Sequence, residues 1–95
     1  MKFQVRYNAE FVADLIESFA WGELTWGSDA AARWFNEIED LIETRLSLMP
    51  TSCPVAPEAE ELGMEIRHLI FGRYRVLFAI EGEVSHVLHL RGPHT

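Results

Sequence analysis

Between residues 64 and 91 the apolar side chains fall on every second position, and few folds satisfy that period. Tyr74, Val76, Phe78 and Ile80 share one parity, against Arg73, Arg75, Leu77 and Ala79. Successive side chains of a strand point to opposite sides of its sheet. The pattern therefore predicts strands with one face on a core. It is interrupted near Gly72 and again at Glu81-Gly82-Glu83, which gives three strands joined by two turns.

The flanking strands divide in the same way. Met64, Ile66, His68 and Ile70 oppose Glu65, Arg67 and Leu69. Val84, His86, Leu88 and Leu90 oppose Ser85, Val87, His89 and Arg91. Each strand has a mostly apolar set and a mixed set holding its charges. If the mixed sets share a face, Arg67, Arg75, His89 and Arg91 converge there beside Glu65. Such a basic cluster is the most function-like feature of the sequence. The competing reading is a solvated outer sheet face carrying extended arginines.

The first half of the chain reads as helical. Phe3, Val5 and Tyr7 alternate with Lys2, Gln4 and Arg6 in a short first strand. Asn8 suits a helix N-cap, because its side-chain oxygen can accept backbone N–H groups. The first helix is expected over residues 9–21, with Phe11, Leu15 and Phe19 four apart and Val12 and Ile16 widening the stripe. Gly22 and Gly27 bracket a connector, and Ser28 or Asp29 caps a second helix. That helix carries Trp34, Ile38, Leu41, Ile42 and Leu46, and ends near Leu48 because Pro50 disfavours helix before it. Trp21, Trp26 and Trp34 are read as packing within this helical hairpin. Residues 51–63 read as a loop, and its acid run as solvated surface. A sharper alternative makes Glu58 or Glu61 a general base near the sheet.

The order strand, helix, helix, strand, strand, strand gives an α+β fold. An antiparallel sheet of about four strands carries the N-terminal hairpin on one face, and the other face, with its arginines, is left open. One domain is expected over residues 1–95. No apolar run approaches the roughly 20 residues of a membrane span, and the N-terminus lacks the apolar region of a signal peptide. The cytoplasm is the expected location. The single Cys53 can form neither an internal disulfide nor a metal cluster. No glycine-rich phosphate loop is present, and no cofactor is expected.

Charge is unevenly placed. The chain carries −7 overall: residues 1–63 carry −8 and residues 64–95 carry +1. The whole-molecule field repels a polyanion at long range, while local arginines can still hold phosphate or carboxylate at short range.

Glu65-Ile66-Arg67-His68-Leu69, Gly72-Arg73-Tyr74-Arg75-Val76-Leu77-Phe78-Ala79-Ile80 and the closing Val87-Leu88-His89-Leu90-Arg91 resemble the RelE/ParE superfamily of bacterial type II toxins. Ala32-Arg33-Trp34 in the hairpin, with Pro50 after it, fits as well. The resemblance implies the same two-helix, sheet layout and a cognate antitoxin as partner. It implies one of two activities, cleavage of mRNA on the ribosome or inhibition of DNA gyrase. For cleavage, the RNA 2′-hydroxyl attacks the adjacent phosphate, which calls for a base, positive charge on the phosphorane and an acid. Arg75 matches the arginine after the family's strand tyrosine, Arg67 a basic position on the preceding strand, and Arg91 the final-strand position. His94 loosely matches the terminal acid or base, with His89 as fallback. Glu65 stands where the ribosome-dependent nucleases carry lysine, and Lys2 is the only lysine. Leu24 and Trp26 are candidate antitoxin contacts. Two other readings compete: a non-toxic binding module with the same fold, and a metal site at His86, His89 and His94, disfavoured by the opposite parity of the first two.

Overall fold

The computed structural model describes residues 2–93. Strand β1 (Gln4–Tyr7) leads into helices α1 (Ala9–Trp26) and α2 (Ser28–Leu48). A 3-10 turn (Pro50–Ser52) and a short helix α3 (Glu58–Leu62) precede β2 (Arg67–Phe71), β3 (Tyr74–Glu81) and β4 (Val84–Arg91). The sheet order is β1-β4-β3-β2. Pairs β2–β3 and β3–β4 are antiparallel as expected, while β1 pairs parallel to β4. The long connection after α2 returns the chain so that β2, and hence β4, run in the direction of β1.

The helical hairpin covers one face of the sheet. Phe11, Ile38, Ile42 and Leu46 from the helices meet Leu69, Val76, Phe78, Val87 and Leu90 in one buried cluster. Asn8 caps α1 as expected, its Oδ1 accepting the Phe11 N–H at 2.9 Å. Two boundary expectations are corrected. The first helix does not stop at Trp21; it continues through Gly22 to Trp26. Gly22 is buried, and a Cβ there would come within 2.8 Å of the Trp26 ring. It is a close-packing position inside a helix and not a break. Gly27 alone makes the turn, with φ of 94°, and serves both helices as a cap. Ser28 is therefore the first residue of α2, and no side chain caps that end.

The turn at Gly72-Arg73 sets Phe71 opposite Tyr74, so Leu69 lies opposite Val76 and Arg67 opposite Phe78. Directly opposed residues share a face. Arg67 thus lies on the helix side, while Ile70 and Arg75 lie on the outer side. A bulge adds a second departure. Phe78 pairs with Val87 and Leu77 with His89, which leaves Leu88 as the extra residue. The strict parity expected for the last strand ends there.

The outer face is left only partly open. Residues 54–56 run along β2, with Val55 bridging Arg67 and the Ala56 N–H donating to the Ile66 carbonyl at 2.7 Å. The chain then folds over the sheet, and Ala56 and Ala59 pack with Ile66, Leu77, Ala79 and Leu88 in a second, smaller cluster. The stretch read as a loop is a structured cover.

Candidate functional site

Two of the three candidate arginines meet. Arg75 and Arg91 are direct neighbours across β3 and β4 on the outer face. Glu58, at the start of α3, reaches both. Its Oε1 accepts from Arg75 Nη1 at 3.0 Å and its Oε2 from Arg75 Nη2 at 2.5 Å. Oε2 also lies 3.6 Å from Arg91 Nε. This fork-on-fork pairing is the geometry arginine and carboxylate favour most. The hydrogen bonds from Arg75, acting against partial burial, pull the Glu58 carboxyl down to about 2. Glu58 is therefore a fixed anion and has no basicity for the general-base role weighed for it.

His68 completes the group, with Nδ1 3.0 Å from Arg75 Nη1. Arginine can only donate, so Nδ1 accepts and the imidazole is neutral. Burial, and next the Arg75 charge, push its pKa down. The ring nitrogen that could take a proton is already spent on Arg75.

Arg67 does not join them, and the expected convergence is overturned. Its Nη1 donates to the carbonyls of Cys53, at 2.6 Å, and Thr51, at 3.3 Å. Its Nη2 lies 3.2 Å from Glu65. Arg67 pins the turn after α2 to the edge of the sheet. His89 is drawn away as well. Beyond Val87, β4 has no β1 partner, and Asp14 of α1 accepts the Leu90 N–H there at 3.0 Å. The same oxygen lies 3.3 Å from His89 Nδ1. His94 lies outside the described residues.

Leu24 and Trp26 sit on the last turn of α1, with Leu24 90% and Trp26 40% exposed. Trp26 packs edge-on to Trp21, with centroids 5.4 Å apart, and tilts over Trp34 at 6.0 Å. Trp34 in turn stacks toward Tyr74 at 4.8 Å. The reading of these tryptophans as hairpin packing is incomplete, because they also wall a cavity with Arg73. A second apolar recess runs between α1 and α2. It is lined by Tyr7, Phe11, Val12, Ile16 and Phe35 with Glu39, and Ile16 is 61% exposed. No helix of the described residues is long and apolar enough to cross a membrane.

The pairing of Glu58 with Arg75 is the feature of the site that the sequence concealed. Glu58 lies 17 positions from Arg75 in the chain. No local period links them, and only the folding of residues 54–58 over β2 brings them together.

The family described as ParE toxin of type II toxin-antitoxin system, parDE, matches residues 5–92. The chain belongs to this family, and it is a type II toxin component. A solved structure described as the chromosomal ParDE TA system from P. aeruginosa superposes with a TM-score of 0.77. The two are 15% identical, and the superposition covers 95% of each chain. That likeness is one of fold. No curated protein matches the sequence.

Proposed function

We propose that this toxin inhibits DNA gyrase by binding it, and that a cognate antitoxin covers the toxin when it is silent. The state of the arginines carries this reading. A nuclease needs a cation for the phosphorane and, beside it, a free group able to take the 2′-hydroxyl proton. Here Arg75 is neutralised by Glu58, Arg67 serves backbone carbonyls, and the basic nitrogen of His68 is engaged. The acidic helices are also a poor surface for a ribosome. A protein partner makes different demands, and the exposed apolar groups suit them: Val12 and Ile16 beside the interhelical recess, and Leu24 and Trp26 at the hairpin tip. An amphipathic antitoxin helix in that recess would cover an apolar strip that water now reaches.

The adjacency of Arg75 and Arg91 favours one other reading, ribosome-dependent mRNA cleavage. A supercoiling assay beside a cell-free translation assay separates the two. Inhibited supercoiling with intact message is the expected result. Specific cuts in ribosome-bound message, abolished by Arg75→Ala, would replace the gyrase reading with the nuclease. Normal growth on induction without antitoxin, with the protein soluble, would reduce the chain to an inert binding module.

A further inference from the structure

Beneath Trp26 at the hairpin tip lies an aromatic cavity. All three tryptophans of the chain, Trp21, Trp26 and Trp34, line it. It is half open, with a volume of about 300 Å³, and Tyr74 and Arg73 complete its wall. A second recess of about 220 Å³ is lined by Arg73, Arg75 and Arg91. Arg73 and Pro93 belong to both, so the aromatic and cationic halves adjoin. The junction depends on Gly92, where a Cβ would collide with the Tyr74 ring. Three guanidinium groups line the second recess, and Glu58 pairs with that of Arg75 and lies 3.6 Å from that of Arg91. Arg73 is exposed, and Arg91 is 52% exposed.

We propose that the two recesses form one binding site for a nucleoside monophosphate, with the base against the tryptophans and the phosphate between Arg73 and Arg91. Indole faces stack on any nucleobase, because every base presents a π-face. Guanidinium matches the phosphate oxygens with paired N–H donors. Glu58 occupies the Arg75 fork and balances its charge, so Arg73 and Arg91 supply the donors. The shared wall at Arg73 and Pro93 sets the two recesses side by side, an arrangement that suits the ring and anion of one nucleotide unit. The net charge selects a single unit over a strand. Each further phosphate would enter the field of a chain carrying −7, most of it on the helices beside the cavity. This site shares Trp26 with the surface offered to a protein partner, but it does not require gyrase as the target.

The tryptophans supply the assay. Every tryptophan of the full chain lines the cavity, so intrinsic fluorescence reports its occupancy. Adenosine 5′-monophosphate is expected to quench saturably, with Kd below about 1 mM. Adenosine should bind roughly tenfold more weakly, because it lacks the charge-assisted contacts. Arg73→Ala and Arg91→Ala alter exposed side chains, so both variants should fold. Each should weaken the monophosphate about tenfold, and Arg91→Ala, which lies outside the aromatic wall, should leave adenosine unchanged. A tetra-adenylate strand should bind no more tightly than the monophosphate at low salt. The proposal is overturned by absent quenching, by equal affinity for adenosine and its monophosphate, by indifference to both arginine variants, or by a clear preference for the strand.

Discussion

The two faces of the sheet solve the same burial problem differently. On the helix side, 39 residues of α1 and α2 supply the cover, and the face holds Val76, Phe78 and Val87 at 0% exposure. On the outer side a short crossing segment and five-residue α3 cover only part of the sheet. There Leu77 is buried, but its neighbours along the strand include Arg75, held by Glu58. One face is built for stability. The other carries charges close enough to apolar cover that they must be paired with one another. The paired charges of Glu58, Arg75 and Arg91 collect on the thinner side, where side chains remain reachable.

That contrast is open to direct attack, beginning in the thick core. Phe78→Ala should cost about 3–5 kcal/mol, since the surrounding helices and strands cannot collapse into the space. Leu77→Ala, one residue along and on the opposite face, should cost about 2–3 kcal/mol because the lighter cover can relax. Urea denaturation measures both. Equal losses would mean that the crossing segment packs as rigidly as the hairpin.

The Glu58 contact is the next largest. Glu58→Gln keeps the shape of the side chain but leaves Arg75 without its counter-charge. A loss on the order of 2 kcal/mol is expected, below that of a fully buried pair because Arg75 is 31% exposed. The pH dependence fixes the sign. The folded Glu58 pKa of about 2 lies below its ordinary value of 4.5. The unfolded chain therefore binds more protons between these values, and stability rises with pH across them. The contribution is complete above about pH 5 and fades as pH falls through 4.5 toward 2. Glu58→Gln should lack this component of acid destabilisation. A variant with the same acid limb as the parent would show that the pair contributes nothing.

Arg67 and Arg75 sharpen the comparison further, because they are the same residue type on neighbouring strands. Arg67→Ala strands the Thr51 and Cys53 carbonyls at the edge of the sheet and should cost about 1–2 kcal/mol. The change should leave the toxin's effect on its target intact once the protein is folded. Arg75→Ala should alter the outer face itself. Loss of activity in Arg67→Ala at full folding would return Arg67 to the functional surface.

The placement of Arg67 was countable from the sequence once the turn length was known. A two-residue turn at Gly72-Arg73 puts Phe71 opposite Tyr74, and four steps along the ladder then place Arg67 on the helix side. Apolar alternation gives the strands but not the relative phase of two strands, which the turn sets. The bulge at Leu88 was not countable, because nothing in Val87-Leu88-His89 marks an extra residue. Gly22 misled for a related reason. Its propensity argues for a break, and at roughly 1 kcal/mol that preference is small beside the packing of Trp26 and Ala31 around it. The hairpin, the sheet and Asn8 as a cap were legible because each rests on local period or local hydrogen bonding. Glu58 on Arg75 was not, since it depends on where a proline-rich connection folds.

The smallest expected effect on stability belongs to Leu24, the most exposed large apolar side chain among the described residues. Leu24→Ala removes surface that water already covers, so its change in stability should fall within about 0.5 kcal/mol. If the hairpin tip meets a protein partner, the same substitution removes an apolar contact buried only in the complex. Affinity for a purified antitoxin should then drop while the melting temperature holds, and titration calorimetry beside thermal unfolding reads both. Unchanged affinity would free the tip of any antitoxin role and leave the interhelical recess at Val12 and Ile16 as the apolar surface to test. A drop in both measurements would mean that Leu24 supports the turn at Gly27. The hairpin tip would then belong with the thick, stabilising half of the molecule.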